Sequence, residues 1–278
     1  MMSRVILVCV LIFIVAMVTA HFMRKQVRNN ISHKADCLKK IQGRKIGFYE
    51  KYIKRMLDIL CASLTIVILS PLYVLIALLV KLKLGSPVIF RQDRPGLVGK
   101  DGHEEIFKMY KFRTMTDERD SNGNLLSDEK RLTKFGSWLR ETSLDELPEV
   151  FNILNGTMSV IGPRPQLVRD LVFMTEEQRM RHTARPGLSG LAQVNGRNSI
   201  AWESKLSWDL KYLQRVSFIG DVKIVVKTIS KALIRHDGIS QDDMATAEDF
   251  GDYLLRTGKI SRDEYLTNQR LAKKIMSE

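Results

Sequence analysis

Cysteine is scarce in this chain of 278 residues: Cys9, Cys37 and Cys61 are its only three. None forms a C-x-x-C pair and none lies near a histidine cluster, which argues against a disulfide framework and against a zinc site; a reducing compartment fits. The sequence also lacks a Gly-x-x-x-x-Gly-Lys-Ser/Thr loop and a Gly-x-Gly-x-x-Gly turn, and this weighs against P-loop and Rossmann nucleotide binding. It has no internal repeat and no low-complexity tract. Acids are in deficit, with 31 Asp and Glu against 44 Lys and Arg and a net charge of +13. Such an excess implies an anionic partner: nucleic acid, an anionic membrane or a phosphorylated substrate. The basic residues sit beside apolar segments, and no aromatic RNA-binding signature or zinc finger occurs, so no nucleic-acid partner is expected.

What the chain does have is apolar sequence in two long runs. Val5 to Met23 carries no Asp, Glu, Lys or Arg and is about long enough to cross a bilayer. Val18-Thr19-Ala20 would serve as a signal-peptide cleavage site, but Arg24 to Arg55 holds eleven Lys or Arg against two acids. Positive flanks stay cytoplasmic. The expectation is a transmembrane anchor over residues 1–23 and a basic juxtamembrane linker over 24–50. Lys39, Lys40, Arg44 and Lys45 read as a solvated stretch that attracts anionic lipid.

The second run, Met56 to Leu84, is interrupted by Ser70-Pro71 and has basic residues on both sides, Lys51, Lys54 and Arg55 before it and Lys81 and Lys83 within its end. Proline removes a backbone donor and kinks or breaks a helix. A spanning helix usually shows one-sided charge. A kinked span and a re-entrant element that turns at Ser70-Pro71 are both open on these features.

Beyond Gly85 the composition becomes mixed. Pro87 to Gln92 and Glu105 to Met115 alternate like two short strands around a turn-rich stretch. Helices are expected over Asp128 to Glu141, with Leu132, Phe135 and Leu139 on one face, over Ser143 to Leu154, over Glu203 to Arg215 and over Asp221 to Arg235. The last pairs an apolar stripe with Lys223, Lys227, Lys231 and Arg235, a pattern that suits either an anionic membrane or a surface helix packed on a core. Residues 241–278 read as an appendage of two short helices around Thr257-Gly258. The fold class expected is α+β: a mostly helical, membrane-associated domain with a few short strands.

The chemistry concentrates in TSLDELPEVFN, Thr142 to Asn152. Ser143 and Glu146 have the spacing of a capping box, and acids in a first turn complement the helix dipole. Asp145 and Glu146 also have cationic neighbours. Arg140 lies five residues before Asp145. Pro163-Arg164-Pro165 holds an arginine on a stiff turn, because proline fixes its own φ and restricts its predecessor. Arg185 and Arg197 lie on further turns. Rigid guanidinium groups suit phosphate. Carboxylates beside phosphates point to Mg²⁺, and an aspartate can itself attack phosphorus. His103 and His182 have no visible ligand partners. For Trp202 and Trp208, core packing is the default.

KRMLDILCASLTIVILSP, FRQDRPG, FKMYKFRTM, LRETSLDELPEVFNIL, MSVIGPRP, RHTARPGLSGLAQVNGRN and DLKYL together resemble the small monotopic phosphoglycosyl transferases of bacteria. The resemblance covers about Tyr49 to Ser240. It implies a catalytic domain over residues 85–240 and a re-entrant membrane helix over 51–84 broken at Ser70-Pro71. It implies transfer of a phosphosugar from a UDP-sugar to undecaprenyl phosphate with release of UMP, the first membrane step of capsule, exopolysaccharide, O-antigen or glycoprotein glycan synthesis. Asp145 would be the nucleophile and Glu146 would help hold Mg²⁺, with Asp145 beside it. Arg140, Arg164, Arg185 and Arg197 would bind phosphate, and Pro163 and Pro165 would stiffen the turn. Lys54 and Arg55 match the basic start of the membrane element, at the polyprenyl-phosphate interface, and Asp58 matches with them. The expected location is the cytosolic face of the bacterial cytoplasmic membrane, with downstream glycosyltransferases as partners. Two rival readings are a non-catalytic membrane-anchored scaffold and a conventional glycosyltransferase that would release UDP instead.

Overall fold

The computed structural model describes residues 31–196, 201–234 and 248–277. The expected anchor over residues 1–23 lies outside the described residues, as does Arg197. Helices dominate, with two small sheets, in agreement with an α+β, mostly helical domain.

The linker is not wholly solvated. Ile31–Lys34 forms strand β1, and Ala35 and Ile41 are buried. Lys39 and Lys40 are exposed as expected, but Arg44 turns inward. Its guanidinium bonds the Thr183 hydroxyl at 3.1 Å and pairs with Glu50. A π turn, Tyr49–Ile53, leads into helix α1, Lys54–Leu84. Pro71 sits inside this helix, which continues through Ser70 and Pro71, so the expected break there does not interrupt it. A proline withholds the donor that the carbonyl four residues earlier needs; here that carbonyl belongs to Val67, and the Ser70 hydroxyl donates to it at 2.9 Å.

The buried positions of α1 form two short rows at helical spacing, Lys54, Asp58 and Ala62, then Ile76, Val80 and Leu84. Between them no residue is buried, and Val67 and Ile68 are 72% and 69% exposed. Both rows pack on the same globular part. Asp58 Oδ1 accepts from Ser159 Oγ at 3.0 Å and from Val160 N at 2.9 Å. Beyond the proline, the Tyr73 hydroxyl donates to the Leu147 carbonyl, and Ile76, Val80 and Leu84 join Phe112 and Leu139 in one cluster.

Strands β2, Ile89–Val98, and β3, Glu104–Phe112, form an antiparallel hairpin with β1 on the far edge of β3. The helix expected over Asp128 to Glu141 is two, α2 at Asp128–Arg131 and α3 at Lys134–Glu141. Leu132 leaves the helical region and bridges Met115, and Thr133 restarts the helix by accepting from Gly136 N at 3.0 Å, an N-cap. Helix α4, Glu149–Asn155, follows. Strands β4, Ser159–Ile161, and β5, Gly187–Ser189, pair in parallel. A Cβ on Gly187 would meet the Gly162 nitrogen at 2.0 Å, so only glycine allows the approach.

Between these strands lie a 3₁₀ turn, Val168–Phe173, and helix α5, Glu176–Arg179. Helices α6, Leu191–Gly196, α7, Trp202–Gln214, and α8, Phe218–Ile234, complete the domain. Phe218, Ile219, Val222, Val226 and Ile229 of α8 are exposed, while Ile224 is buried. The appendage forms the two expected helices, α9, Phe250–Arg256, and α10, Arg262–Ser277. Gly258 joins them at φ +69°, the left-handed exit that glycine adopts without strain.

Candidate active site

Asp145 and Glu146 lie on a tight connection between α3 and α4. The Thr142 hydroxyl donates to the Trp138 carbonyl at 2.8 Å, and Ser143 N donates to Arg140 O at 3.1 Å. Ser143 then takes φ +56°, the left-handed conformation that ends a helix. A residue so placed cannot also adopt the extended backbone of an N-cap. The expected capping box is therefore absent: Ser143 makes no side-chain cap, and the Glu146 side chain goes elsewhere. The expected helix over Ser143 to Leu154 is likewise split, into a 3₁₀ turn at Leu144–Glu146 and α4, with Pro148 at the start of α4. Proline lacks the donor that a continuous helix would need there.

Glu146 Oε1 accepts from Lys111 Nζ at 2.7 Å and from Arg164 Nη2 at 2.5 Å. Lys111 also reaches Glu149 Oε1 at 3.3 Å. Arg140 Nε donates to Thr114 Oγ1 at 3.0 Å. Asp145 is 6% exposed, and its Oδ1 has no hydrogen-bond partner among the described residues. Burial pushes its pKa up to about 6, Lys111 pulls it down, Glu146 pushes it up, and Arg140 and Arg164 pull it down. Burial acts the same way on Glu146, but there Arg164 and Lys111 outweigh it and hold the carboxyl well below the usual range. Burial and then the Glu146 charge raise Glu149 to about 7. Adjacent carboxylates are thus driven apart in proton affinity, the arrangement that lets neighbours take different roles.

Arg164 comes from the turn after β4, between the buried Pro163 and Pro165. Its carbonyl accepts from Arg181 Nη2 at 2.6 Å, and Arg181 in turn makes two bonds to Asp209 Oδ2, at 3.0 and 2.6 Å. Arg94 Nη1 donates to Pro165 O at 3.4 Å. The Arg94 guanidinium is lowered to about 10 by burial and then by the Arg164 charge.

The remaining expected site residues lie elsewhere. Arg185 Nε donates to the Gly156 carbonyl at 3.1 Å. Arg55 donates to Ile153 O at 2.5 Å and to Leu154 O at 2.8 Å. Together they cap the C-terminal end of α4 with positive charge. Lys54, expected at the polyprenyl-phosphate interface, instead makes a buried bond of 2.5 Å to Asp221 Oδ2, which also accepts from the Tyr49 hydroxyl at 2.8 Å. Lys54 and Arg55 thus anchor α1 to the domain. Ser70 and Pro71 lie in the exposed middle of α1.

Lys111, Glu149, Arg94 and Arg181 were not singled out from the sequence. Lys111 had a signal: it follows Phe107 and Met109 at the two-residue period of β3, on a face where both are buried. A cation on that face needs an anionic partner. His182 proves to be a core histidine, with Nδ1 3.2 Å from Glu104 Oε1, and Trp202 is also in the core.

Among the described residues no group of three or more His, Cys, Asp or Glu is clustered as a metal cage. Mg²⁺ does not require one, since it binds through one or two carboxylates, substrate phosphates and water. The donor set fits that chemistry. Among the described residues, the bonds from Lys111 and Arg164 to Glu146 both fall on Oε1, and Asp145 Oδ1 has no partner.

A family model for the bacterial sugar transferases matches residues 49–235. The chain belongs to this family, and it is a bacterial phosphoglycosyl transferase. A protein described as uncharacterized sugar transferase EpsL, from Bacillus subtilis (strain 168), is 48% identical over 198 residues, 71% of this chain and 95% of that protein. The UDP-glucose:undecaprenyl-phosphate glucose-1-phosphate transferase of Klebsiella pneumoniae is 40% identical over 191 residues. That match takes in 65% of this chain but only 40% of the Klebsiella enzyme. Exopolysaccharide production protein ExoY of Sinorhizobium fredii is 37% identical over 193 residues, 63% of this chain and 83% of that protein.

Proposed function

We propose that the protein transfers a sugar 1-phosphate from a UDP-sugar to undecaprenyl phosphate and releases UMP, at the cytosolic face of the membrane, as the opening step of exopolysaccharide or a related surface glycan. The names of the Klebsiella and Sinorhizobium relatives support the reaction and the product class. The observation that carries it in this chain is the buried Asp145 carboxyl, unpartnered at Oδ1 among the described residues and under the charges of Lys111, Arg140 and Arg164.

In this reading the ionised Asp145 attacks the sugar-bearing phosphorus. An Asp–O–P bond forms, the P–O bond to UMP breaks, and the bonding pair leaves with UMP. An oxygen of undecaprenyl phosphate then attacks the same phosphorus, the Asp–O–P bond breaks, and the carboxylate is restored. Arg164, Lys111 and Arg140 offset the charge that gathers as two phosphates approach. Mg²⁺, held by Glu146 with Asp145 adjacent, would supply further charge neutralisation on the phosphate oxygens.

The membrane placement in this reading is re-entrant. Two packed rows flank an exposed apolar middle on α1, so both ends of the helix belong with one domain. The exposed apolar face of α8 suits the same bilayer surface. With the native cysteines removed, cysteines placed at Lys51 and Lys83 are expected to react with an impermeant thiol reagent from the same side of a vesicle. Reaction from opposite sides would make α1 a span.

The functional test is UMP release from a panel of UDP-sugars by protein in lipid with undecaprenyl phosphate and Mg²⁺. One sugar is expected to give UMP, with an acid limb near pH 6, because protonation of Asp145 removes the nucleophile. Release of UDP, or no nucleotide from any sugar, would overturn the reading.

A further inference from the structure

The two described segments outside the family match, residues 31–48 and 248–277, meet against the 3₁₀ turn Val168–Phe173, which follows the Pro163-Arg164-Pro165 turn. From the N-terminal side, Ala35 joins Ile106, Val168 and Leu171 in one buried cluster. Ile275 of α10 completes that cluster, and each of Ala35, Ile106, Leu171 and Ile275 is fully buried. Phe250 and Leu254 of α9 pack with Phe173, Met174, Trp202 and Leu206 in the neighbouring cluster. Gly251 lies so close to Phe173 that a Cβ there would be 2.5 Å from the ring.

A polar tie accompanies this packing. One carboxylate, Asp170, joins the appendage to the turn: Oδ1 accepts from Phe250 N and Oδ2 from Leu167 N, both at 3.0 Å. Asp170 is 1% exposed. Arg169 pairs with Asp249 beside it. Leu167 is two residues after Pro165, and Arg164 ends on Glu146 Oε1. A chain of bonded and packed groups therefore runs from α9 through Asp170 and the stiff turn to the carboxylate pair.

We infer that the C-terminal appendage is a positioning element of the transferase, which docks through Phe250 and Asp170 to hold the Pro163-Arg164-Pro165 turn so that Arg164 meets both Glu146 and the donor's phosphates. The inference rests on the transferase reading for its effect on catalysis, but not for its effect on the turn. Phe250 and Asp170 touch no reacting atom; they act through the turn. A proline-stiffened turn transmits such a constraint well, because its φ angles have little freedom to absorb a shift at Leu167. Small displacements of a phosphate-binding guanidinium are costly to rate.

The test uses the full chain in lipid with two variants that release the appendage differently, Phe250→Ala by a cavity and Gly251→Val by a wedge against Phe173. Amide hydrogen exchange and UMP release are measured on each. Faster exchange is expected in peptides covering residues 163–171 as well as 248–256, while α1 and α4 keep their protection. KM for the UDP-sugar is expected to rise about tenfold, with a smaller fall in kcat, and Phe250→Leu should restore both. Faster exchange confined to residues 248–277, with KM unchanged, would overturn the inference and leave the appendage as packing alone. If the wild type released no UMP from any sugar, the transferase reading would fall, and the exchange pattern would still decide whether the appendage holds the turn.

Discussion

Asp145→Asn is expected to abolish UMP release, by about 10⁴-fold or more, and at the same time to stabilise the protein. The two effects have one origin. Burial raises the Asp145 pKa from 3.8 to about 6. A carboxyl with a raised folded-state pKa contributes stability below its unfolded value, and that contribution is lost as pH climbs from 3.8 to about 6. At neutral pH the fold therefore carries an ionised carboxylate at a cost on the order of 3 kcal/mol. Asparagine is nearly the same shape and carries no charge. Tm at about pH 7.5 should rise by several degrees, and the gain should vanish at about pH 4, where wild-type Asp145 is itself mostly neutral. Thermal unfolding of both proteins across that pH range checks the sign. An equal or lower Tm for the variant at neutral pH would mean that Asp145 is a satisfied structural carboxylate. Such a residue would have no reserve of nucleophilicity to spend, so the stability measurement bears on the mechanism without any substrate.

This link between strain and function also explains what was legible in the sequence. The regular periodic pieces were: α7 and α8 fall within a few residues of the stretches read as helices, and the tail forms its two helices around Gly258. Strand β2 runs on through Arg94, Pro95 and Gly96, which read as turn. Order β1–β3–β2 puts it on a sheet edge, where a proline displaces no ladder donor from a central strand. Strand β1 read as part of the basic juxtamembrane linker because its partner, β3, lies some seventy residues away, and nothing local in Ile31–Lys34 records that pairing. The three-residue strands β4 and β5 are too short to show a period.

At the site, Asp145 and Glu146 were legible as adjacent acids, Arg164 by the prolines on either side of it, and Arg140 by lying five residues before the pair. The capping box was a false local signal. Its spacing is real, but Ser143 is already used to end α3, and Lys111 and Arg164 draw Glu146 away. Lys54 and Arg55 look like membrane-facing cations in a one-dimensional reading, yet Asp221 lies 167 residues beyond Lys54 and claims it. Long-range ion pairs of this kind leave no trace in spacing.

Lys111→Met should act in the opposite direction from Asp145→Asn on stability and in the same direction on activity. Lys111 bonds both Glu146 and Glu149, at 2.7 and 3.3 Å, with its side chain 17% exposed. Methionine retains much of the length and apolar bulk but no charge. Removing one partner of a buried ion pair leaves the other uncompensated, a loss of about 3 kcal/mol or more. Glu146 keeps Arg164, but Glu149 loses the cation that opposes its burial and stays protonated to higher pH, since Lys111 lowers its pKa. Asp145 loses a lowering influence as well. The acid limb of UMP release should therefore move upward from about pH 6, and the rate at neutral pH should fall by about 10²-fold. Raising the pH should recover part of that loss, because it restores the ionised nucleophile, whereas Asp145→Asn should stay inactive at every pH. A Lys111→Met enzyme whose acid limb stays in place would show that Lys111 serves only to hold β3 to α4, and would move the electrostatic burden onto Arg164 and Arg140.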